Sequence, residues 1–161
     1  MSLEKVKSYF AALGREQDVQ EFAVSSATVE LAAKALSVEP ARIAKTLSFQ
    51  SPAAGSCILV VAAGDAKVDN GKFKRHFGVK PKMLTADEVT PMTGHAVGGV
   101  CPFANPTGVK TCLDISLQRF ITVFPACGSS NSAIELNCDE LYRYAQAIEW
   151  VDVCKSWQPE E

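Results

Sequence analysis

Seven consecutive apolar residues, Cys57-Ile58-Leu59-Val60-Val61-Ala62-Ala63, do most to restrict what this chain can become. A strand with one wet face alternates apolar and polar residues. An unbroken apolar run reads instead as a central strand covered on both faces. The rest of the 161-residue chain must supply those covering layers, and it is long enough for one domain with a sizeable core over residues 1–161. Its 47% apolar and 21% charged content is that of an ordinary globular protein. A formal charge of −2 argues against a nucleic-acid-coating protein but leaves room for a local basic patch. No run approaches the ~18 apolar residues of a membrane span, and Met1-Ser2-Leu3-Glu4-Lys5 has no apolar signal core, so a cytoplasmic location is expected.

The six cysteines (Cys57, Cys101, Cys112, Cys127, Cys138, Cys154) form no C-x-x-C pair, and neither His76 nor His95 lies near two of them. The pattern predicts reduced, mostly buried thiols and neither a structural zinc nor any other metal.

Leu3, Val6, Phe10 and Leu13 recur at helical spacing, with Gly14 as C-cap. Val19–Val24 alternates like an edge strand. Thr28 is placed to N-cap a helix carrying Val29, Ala32, Ala33 and Leu36, with Pro40 marking the stop nearby. Ile43–Phe49 reads as a strand, followed by a turn over Ser51–Gly55. Asn70-Gly71 and Gly78 bracket a basic helix. Lys82–Leu84 is a further strand candidate, and Thr85 opens a helix through Val89 that Pro91 and Gly94 end. Val109–Leu113, Phe120–Phe124 and Ala133–Leu136 complete the expected sheet, with Asp114 capping a turn. Asn137 and Glu140 have capping-box spacing at the head of a helix bearing Leu141, Tyr144, Ala145 and Ile148. Strands and helices mix irregularly, which favours α+β or a mixed α/β sheet over a regular doubly wound fold.

Two segments suggest chemistry. In Ile43-Ala44-Lys45-Thr46-Leu47-Ser48-Phe49, strand alternation puts Lys45 on one face with Ile43, Leu47 and Phe49. An ammonium there needs partners or water. It either snorkels from the strand end or lines a cleft, where it can bind a carbonyl or phosphate oxygen or act with a lowered pKa. In His95-Ala96-Val97-Gly98-Gly99-Val100-Cys101-Pro102-Phe103, two glycines and a proline interrupt an apolar run. The loop matches no phosphate-binding fingerprint. It serves either as a structural turn or as a place where backbone N–H groups approach a ligand and stabilise an oxyanion. Cys101 is a candidate thiol nucleophile with His95 or His76 as base, though no third orienting residue is evident; His95 suits packing or hydrogen bonding at least as well. Lys72, Lys74, Arg75, His76, Lys80 and Lys82 fall within eleven residues that hold no acid. They form either a solvated helix face or a contact for a phosphate backbone, with Phe73 and Phe77 as anchors.

At these segments the chain resembles the YbaK/prolyl-tRNA synthetase-associated domain family. The likeness runs in order from about residue 20 to 145: Ser26–Ala33, Ile43–Leu47, Leu59–Asp65, Thr93–Phe103 and the Asp114 turn. It implies an α+β single domain whose mixed, mostly antiparallel sheet or partly closed barrel is surrounded by helices. It implies hydrolysis of the ester joining a wrong amino acid to tRNA, with water attacking and with neither cofactor nor protein nucleophile. Lys45 and the Gly98–Pro102 loop, including Gly99, would organise catalysis. Phe22, Ser25, Ser26, Thr46, His95, Val100, Cys101 and Pro102 would shape the substrate pocket, and Lys72, Lys74, Arg75, Lys80 and Lys82 would meet tRNA. The expected partner is a mischarged tRNA, best matched by tRNA-Pro carrying a small amino acid, with prolyl-tRNA synthetase as a further candidate and editing in trans. A non-catalytic tRNA- or synthetase-binding module with the same pocket is the alternative.

Overall fold

The computed structural model describes residues 2–26, 28–53 and 56–157. In chain order its strands are β1 (Gln20–Glu21), β2 (Ile43–Gln50), β3 (Cys57–Ala63), β4 (Lys67–Val68), β5 (Lys110–Asp114), β6 (Phe124–Pro125), β7 (Ser132–Ala133), β8 (Glu149–Val151) and β9 (Cys154–Lys155). Its α-helices are α1 (Ser2–Ala12), α2 (Val29–Leu36), α3 (Asn70–Phe77), α4 (Ala86–Thr93) and α5 (Cys138–Tyr144).

The unbroken apolar run is β3, buried at every position. Its alternate side chains enter different clusters. Ile58 and Val60 join the main core with Phe10, Phe73, Phe103 and Leu141. Cys57 and Leu59 pack against Leu84 and Val89 at the start of α4. A strand covered on both faces has no use for polar side chains, which is why none interrupts it. A third cluster, Ala32, Ala33, Ile43 and Phe124, seats α2 against β2 and β6.

The main sheet has the order β6-β2-β3-β5-β8. β2 and β3 form a long antiparallel pair, Ala44 opposite Ala63 through Gln50 opposite Cys57, whereas β6, β5 and β8 each join in parallel. The small pairs β1–β7 and β4–β9 are antiparallel. The fold is thus the expected α+β single domain with a mixed sheet. Antiparallel pairing is carried by the β2–β3 hairpin and the small sheets, not by the outer strands of the main sheet. Backbone bonding continues past β6, where Val123 and Leu136 exchange hydrogen bonds and the Ile134 N–H donates to the Pro125 carbonyl. β7 follows there and pairs with β1.

Local signals set the helix ends. Thr28 caps α2 by accepting from the Leu31 N–H, and Gly14 takes φ +74° after α1. Asn137 and Glu140 form the capping box of α5, which stops at Tyr144 and leaves Ile148 half-exposed. Buried Asp114 accepts from the N–H groups of Ser116 and Val153, at 2.9 and 3.0 Å, and so fixes the return of the chain after β8.

Several expectations need correction. Pro91 does not end α4 but lies inside it: its missing N–H costs a single bond, and the Gly94 N–H still closes on Thr90. Lys82–Leu84 contributes only a bridge from Met83 to Phe49, and residues 115–119 form a 3-10 turn, leaving Phe124–Pro125 as the strand. Ala133–Leu136 is not the last strand, since β8 and β9 follow. The expected turn over Ser51–Gly55 lies partly outside the described residues, as does Ala27. All six cysteines are free thiols, five of them buried.

Candidate active site

A cavity of about 460 Å³ opens beside β2. The strand contributes Ile43 through Ser48 to its lining. Thr28, Val29 and Ala32 come from the start of α2, Leu84 from the segment before α4, and Ala86 and Val89 from α4 itself. The loop after α4 contributes Val97, Gly98 and Val100. Phe124 and Ala126 come from β6 and its continuation, and Ser132 and Ala133 from β7. Among the described residues, Lys45 is the sole charged member of the lining. The first turns of both helices border this space, where the helix dipole gives a partial positive charge.

Lys45 is partly buried, and its Nζ donates to the carbonyls of Gly64 and Ala66 in the turn after β3. Burial, opposed by the neighbouring Cys154 and Asp65, holds its pKa below the ordinary 10.5. The turn is braced twice. A Cβ on Gly64 would lie 2.1 Å from the Pro40 carbonyl oxygen, so main chain packs on main chain there. Asp65 is clasped by Arg119 through both guanidinium Nη groups, at 2.9 and 2.6 Å. An ammonium has three N–H donors; two are spent on these carbonyls, which orients the third. Thr46 follows Lys45 in β2, and its Oγ1 is buried without a hydrogen-bond partner among the described residues. An unmade bond at a buried hydroxyl costs about 1–3 kcal/mol, a cost that a ligand group in the cavity would offset.

The glycine loop divides into a part that meets the cavity and a part that holds the loop. Gly98, at φ +87°, and Val100 line the cavity, and neither donates its N–H to an acceptor among the described residues. Gly99 is different. Its N–H donates to the Ala96 carbonyl at 2.9 Å, and a Cβ there would lie 2.8 Å from the Gly128 carbonyl oxygen. The Gly99 N–H expected for an oxyanion is therefore used within the turn, and Gly99 is needed for close packing against residues 128–129.

His95, Cys101 and Pro102 are buried away from the cavity. His95 Nε2 donates to the Phe103 carbonyl at 2.9 Å, tying the two ends of the loop together, and burial lowers its pKa below the ordinary 6.5. Cys101 Sγ lies 3.5 Å from the same ring, and burial pushes the thiol up to about 12. A fully buried thiol that does not ionise near neutral pH has no access to a substrate, so the thiol-nucleophile reading loses its footing. Pro102 lines a different hollow, with Tyr9 and Asn105.

Ser26 lines the cavity, whereas Phe22 and Ser25 do not. All three are tied to the 130–131 turn: Ser25 and Ser26 bond the Ser130 carbonyl, and Phe22 exchanges bonds with Asn131. The chain from Phe124 to Ala133 therefore contributes cavity wall that the sequence did not reveal. Its one signal is the small polar run Gly128-Ser129-Ser130-Asn131, which announces a turn and nothing more.

Of the basic residues, Lys74, Arg75, Lys80 and Lys82 are exposed. Lys72 instead bonds Asp152 and the Cys154 carbonyl, both at 3.0 Å, pinning α3 to the C-terminal segment. His76 pairs with Glu149. Among the described residues no group of three or more His, Cys, Asp and Glu converges, and no helix is long and apolar enough to cross a membrane.

Comparison with known proteins bears on the family and the fold. Residues 24–144 match the model of the aminoacyl-tRNA editing domain. The uncharacterized protein YwhH of Bacillus subtilis (strain 168) is 52% identical over 158 residues, covering 98% of this chain and 100% of that protein. A crystal structure presented as a candidate trans-editing enzyme for prolyl tRNA synthetase superposes with a TM-score of 0.85 at 28% identity, covering 96% of this chain and 97% of the other. A hypothetical protein, APE2540, gives 0.81 at 30% identity, covering 94% and 99%. A match over three quarters of the sequence, joined to a full-length likeness of fold, settles the family: this chain belongs to the aminoacyl-tRNA editing domain proteins.

Proposed function

We propose that the chain is a trans-acting deacylase that hydrolyses the ester of a mischarged aminoacyl-tRNA, with a small amino acid on tRNA-Pro as the substrate that fits best. The observation that carries this reading is the convergence of Lys45, Thr46, Gly98 and Val100 on one cavity whose described lining holds no acid. Family membership and the trans-editing neighbour support the same class of activity.

Chemically, water adds to the ester carbonyl carbon. The carbonyl π electrons move to oxygen, which becomes an oxyanion. The N–H groups of Gly98 and Val100, which have no acceptor among the described residues, receive it, and such donors are among the strongest contributors to acyl-transfer rates. The C–O bond to the ribose then breaks, its oxygen takes the proton that water released, and free amino acid and tRNA leave. The third N–H of Lys45 holds a substrate oxygen, and Thr46 Oγ1 supplies a further hydrogen bond. Lys74, Arg75, Lys80 and Lys82 contact the tRNA backbone.

A second reading keeps the pocket but not the chemistry, making the chain a tRNA- or synthetase-binding module. The engagement of the Lys45 amine by two carbonyls of its own chain favours it, because that amine then has a structural role. Both readings meet in one experiment. The purified chain is incubated with tRNAs carrying alanine, serine, threonine, cysteine or proline. Deacylation expects release of at least one small amino acid above the spontaneous rate and its loss in a folded Lys45→Ala variant. Saturable tRNA binding with no release supports the binding module and refutes the deacylase.

A further inference from the structure

Met83 and Val97 both line the cavity, and both are more than half exposed, at 53% and 64%. Side chains that are at once lining and open to solvent mark a cavity's mouth. The other exposed lining residues are Thr28, Ala86 and Gly98, so the described rim carries no charge. A single exposed apolar residue needs no explanation. Two at one mouth, above an apolar interior, form a contact surface that continues the cavity outward.

Both are held in place. The Leu84 N–H donates to the Ser48 carbonyl and the Gln50 N–H to the Lys82 carbonyl, so Met83 is fastened to β2 opposite Phe49. Val97 sits on the loop locked by His95 and Gly99. Rigid arms lose little entropy when they close on a ligand.

On the deacylase reading, which this inference rests on, the aminoacyl group enters the cavity and the ribose that bears it stays at the mouth. The base of that same nucleotide then lies against the rim. Its occupant is the terminal adenine of the acceptor end, a flat, uncharged ring whose faces stack on apolar side chains. The flanking charge has the matching sign: exposed Lys82 immediately precedes Met83, and exposed Lys80 stands two residues further back. We infer that Met83 and Val97 clamp the terminal adenine of the tRNA, with Lys82 beside them for the adjoining phosphodiester.

The test compares an aminoacyl-adenosine with the ethyl ester of the same amino acid, in alanyl and seryl forms, and follows adenosine monophosphate binding by methyl resonances. The wild type should cleave the adenosine ester with a kcat/KM about tenfold higher, the order expected when two apolar side chains bury area against a ring. Adenosine monophosphate should shift the Met83 and Val97 methyl signals. In the Met83→Ser/Val97→Ser double variant the preference should fall to near one and nucleotide affinity about tenfold. Equal rates on the two esters in the wild type, or unmoved methyl signals, overturn the clamp even if deacylation stands. No cleavage of either ester, with the methyl shifts intact, refutes the deacylase while supporting the nucleotide subsite. If the double variant alters only the oligomeric state, the rim is a surface for a second copy and the clamp is overturned.

Discussion

Replacing Gly64 by alanine is the sharpest perturbation of the scaffold beneath Lys45. The new Cβ would lie 2.1 Å from the Pro40 carbonyl oxygen, 2.7 Å from Val29 Cγ1 and 3.1 Å from the Pro40 carbonyl carbon. Two of these three neighbours are main chain, so no side-chain rotation relieves the overlap. The Gly64 turn, the segment at Pro40 or the start of α2 must move. Overpacking of this kind costs about 1–3 kcal/mol, and an approach this close places Gly64→Ala near about 3 kcal/mol, a fall in Tm of about 6–12 °C for a domain of this size. Gly78→Ala is the control. It meets no atom within 4 Å and must only adopt φ +81°, which costs about 1 kcal/mol. Thermal unfolding of both variants by circular dichroism checks the ordering. Because the Gly64 carbonyl accepts from Lys45 at 3.4 Å, deacylation by any Gly64→Ala protein that still folds should fall further than its loss of folded fraction explains. If Gly64→Ala melts no lower than Gly78→Ala, main chain does not pack here as tightly as argued, and the placement of Lys45 by this turn falls with it.

The other expectations are quickly stated. Gly99→Ala puts a Cβ 2.8 Å from the Gly128 carbonyl oxygen, so urea unfolding should show a loss of about 1–3 kcal/mol; a wild-type midpoint would mean that the loop and the turn at 128–129 do not touch. Arg119 holds the Asp65 carboxyl below its ordinary 3.8, mainly through the side-chain hydrogen bond. The pair's contribution is complete above pH 3.8 and is lost as pH falls through the lower folded-state value, so Asp65→Asn should flatten that part of the acid-unfolding curve, and parallel curves would count against the clasp. Reversing the charges of Lys74, Arg75, Lys80 and Lys82 should weaken tRNA binding and reduce the slope of log K against log salt by about 0.7–0.9 for each phosphate no longer neutralised; an unchanged slope would leave the patch merely solvated.

Most of the fold was legible because its signals are local. Capping residues placed the helices, and the unbroken run at Cys57–Ala63 placed the central strand. What stayed hidden is what pairing alone creates. Glu149-Trp150-Val151 has no apolar alternation, and it is a strand because Cys112, Leu113 and Asp114 lie beside it. Pro91 misled for a related reason: a proline forbids one hydrogen bond, and a helix with a capping box at one end and a left-handed glycine at the other survives that loss.

The site was half legible, and the division has a physical basis. Lys45 and Gly98 stand out because each is the wrong residue for its surroundings, a cation in a strand and a glycine in an apolar run, and wrongness for structure is visible in sequence. Phe124, Ala126 and Ser132 are ordinary residues in ordinary places. Phe124 and Ala126 reach the cavity because β6 lies parallel to β2, with Ile43 opposite Phe124 and Ala44 opposite Pro125, and Ser132 lies in β7, opposite Glu21 of β1; no pattern within any of these segments encodes those meetings. Within the glycine loop the sequence marked reactive types, His95 and Cys101, yet a loop must also be held, and polar groups that hold it are buried by their task. The Phe103 carbonyl decides the matter: it takes the His95 N–H inside the core, and the loop residues that reach the cavity, Val97, Gly98 and Val100, carry no reactive side chain.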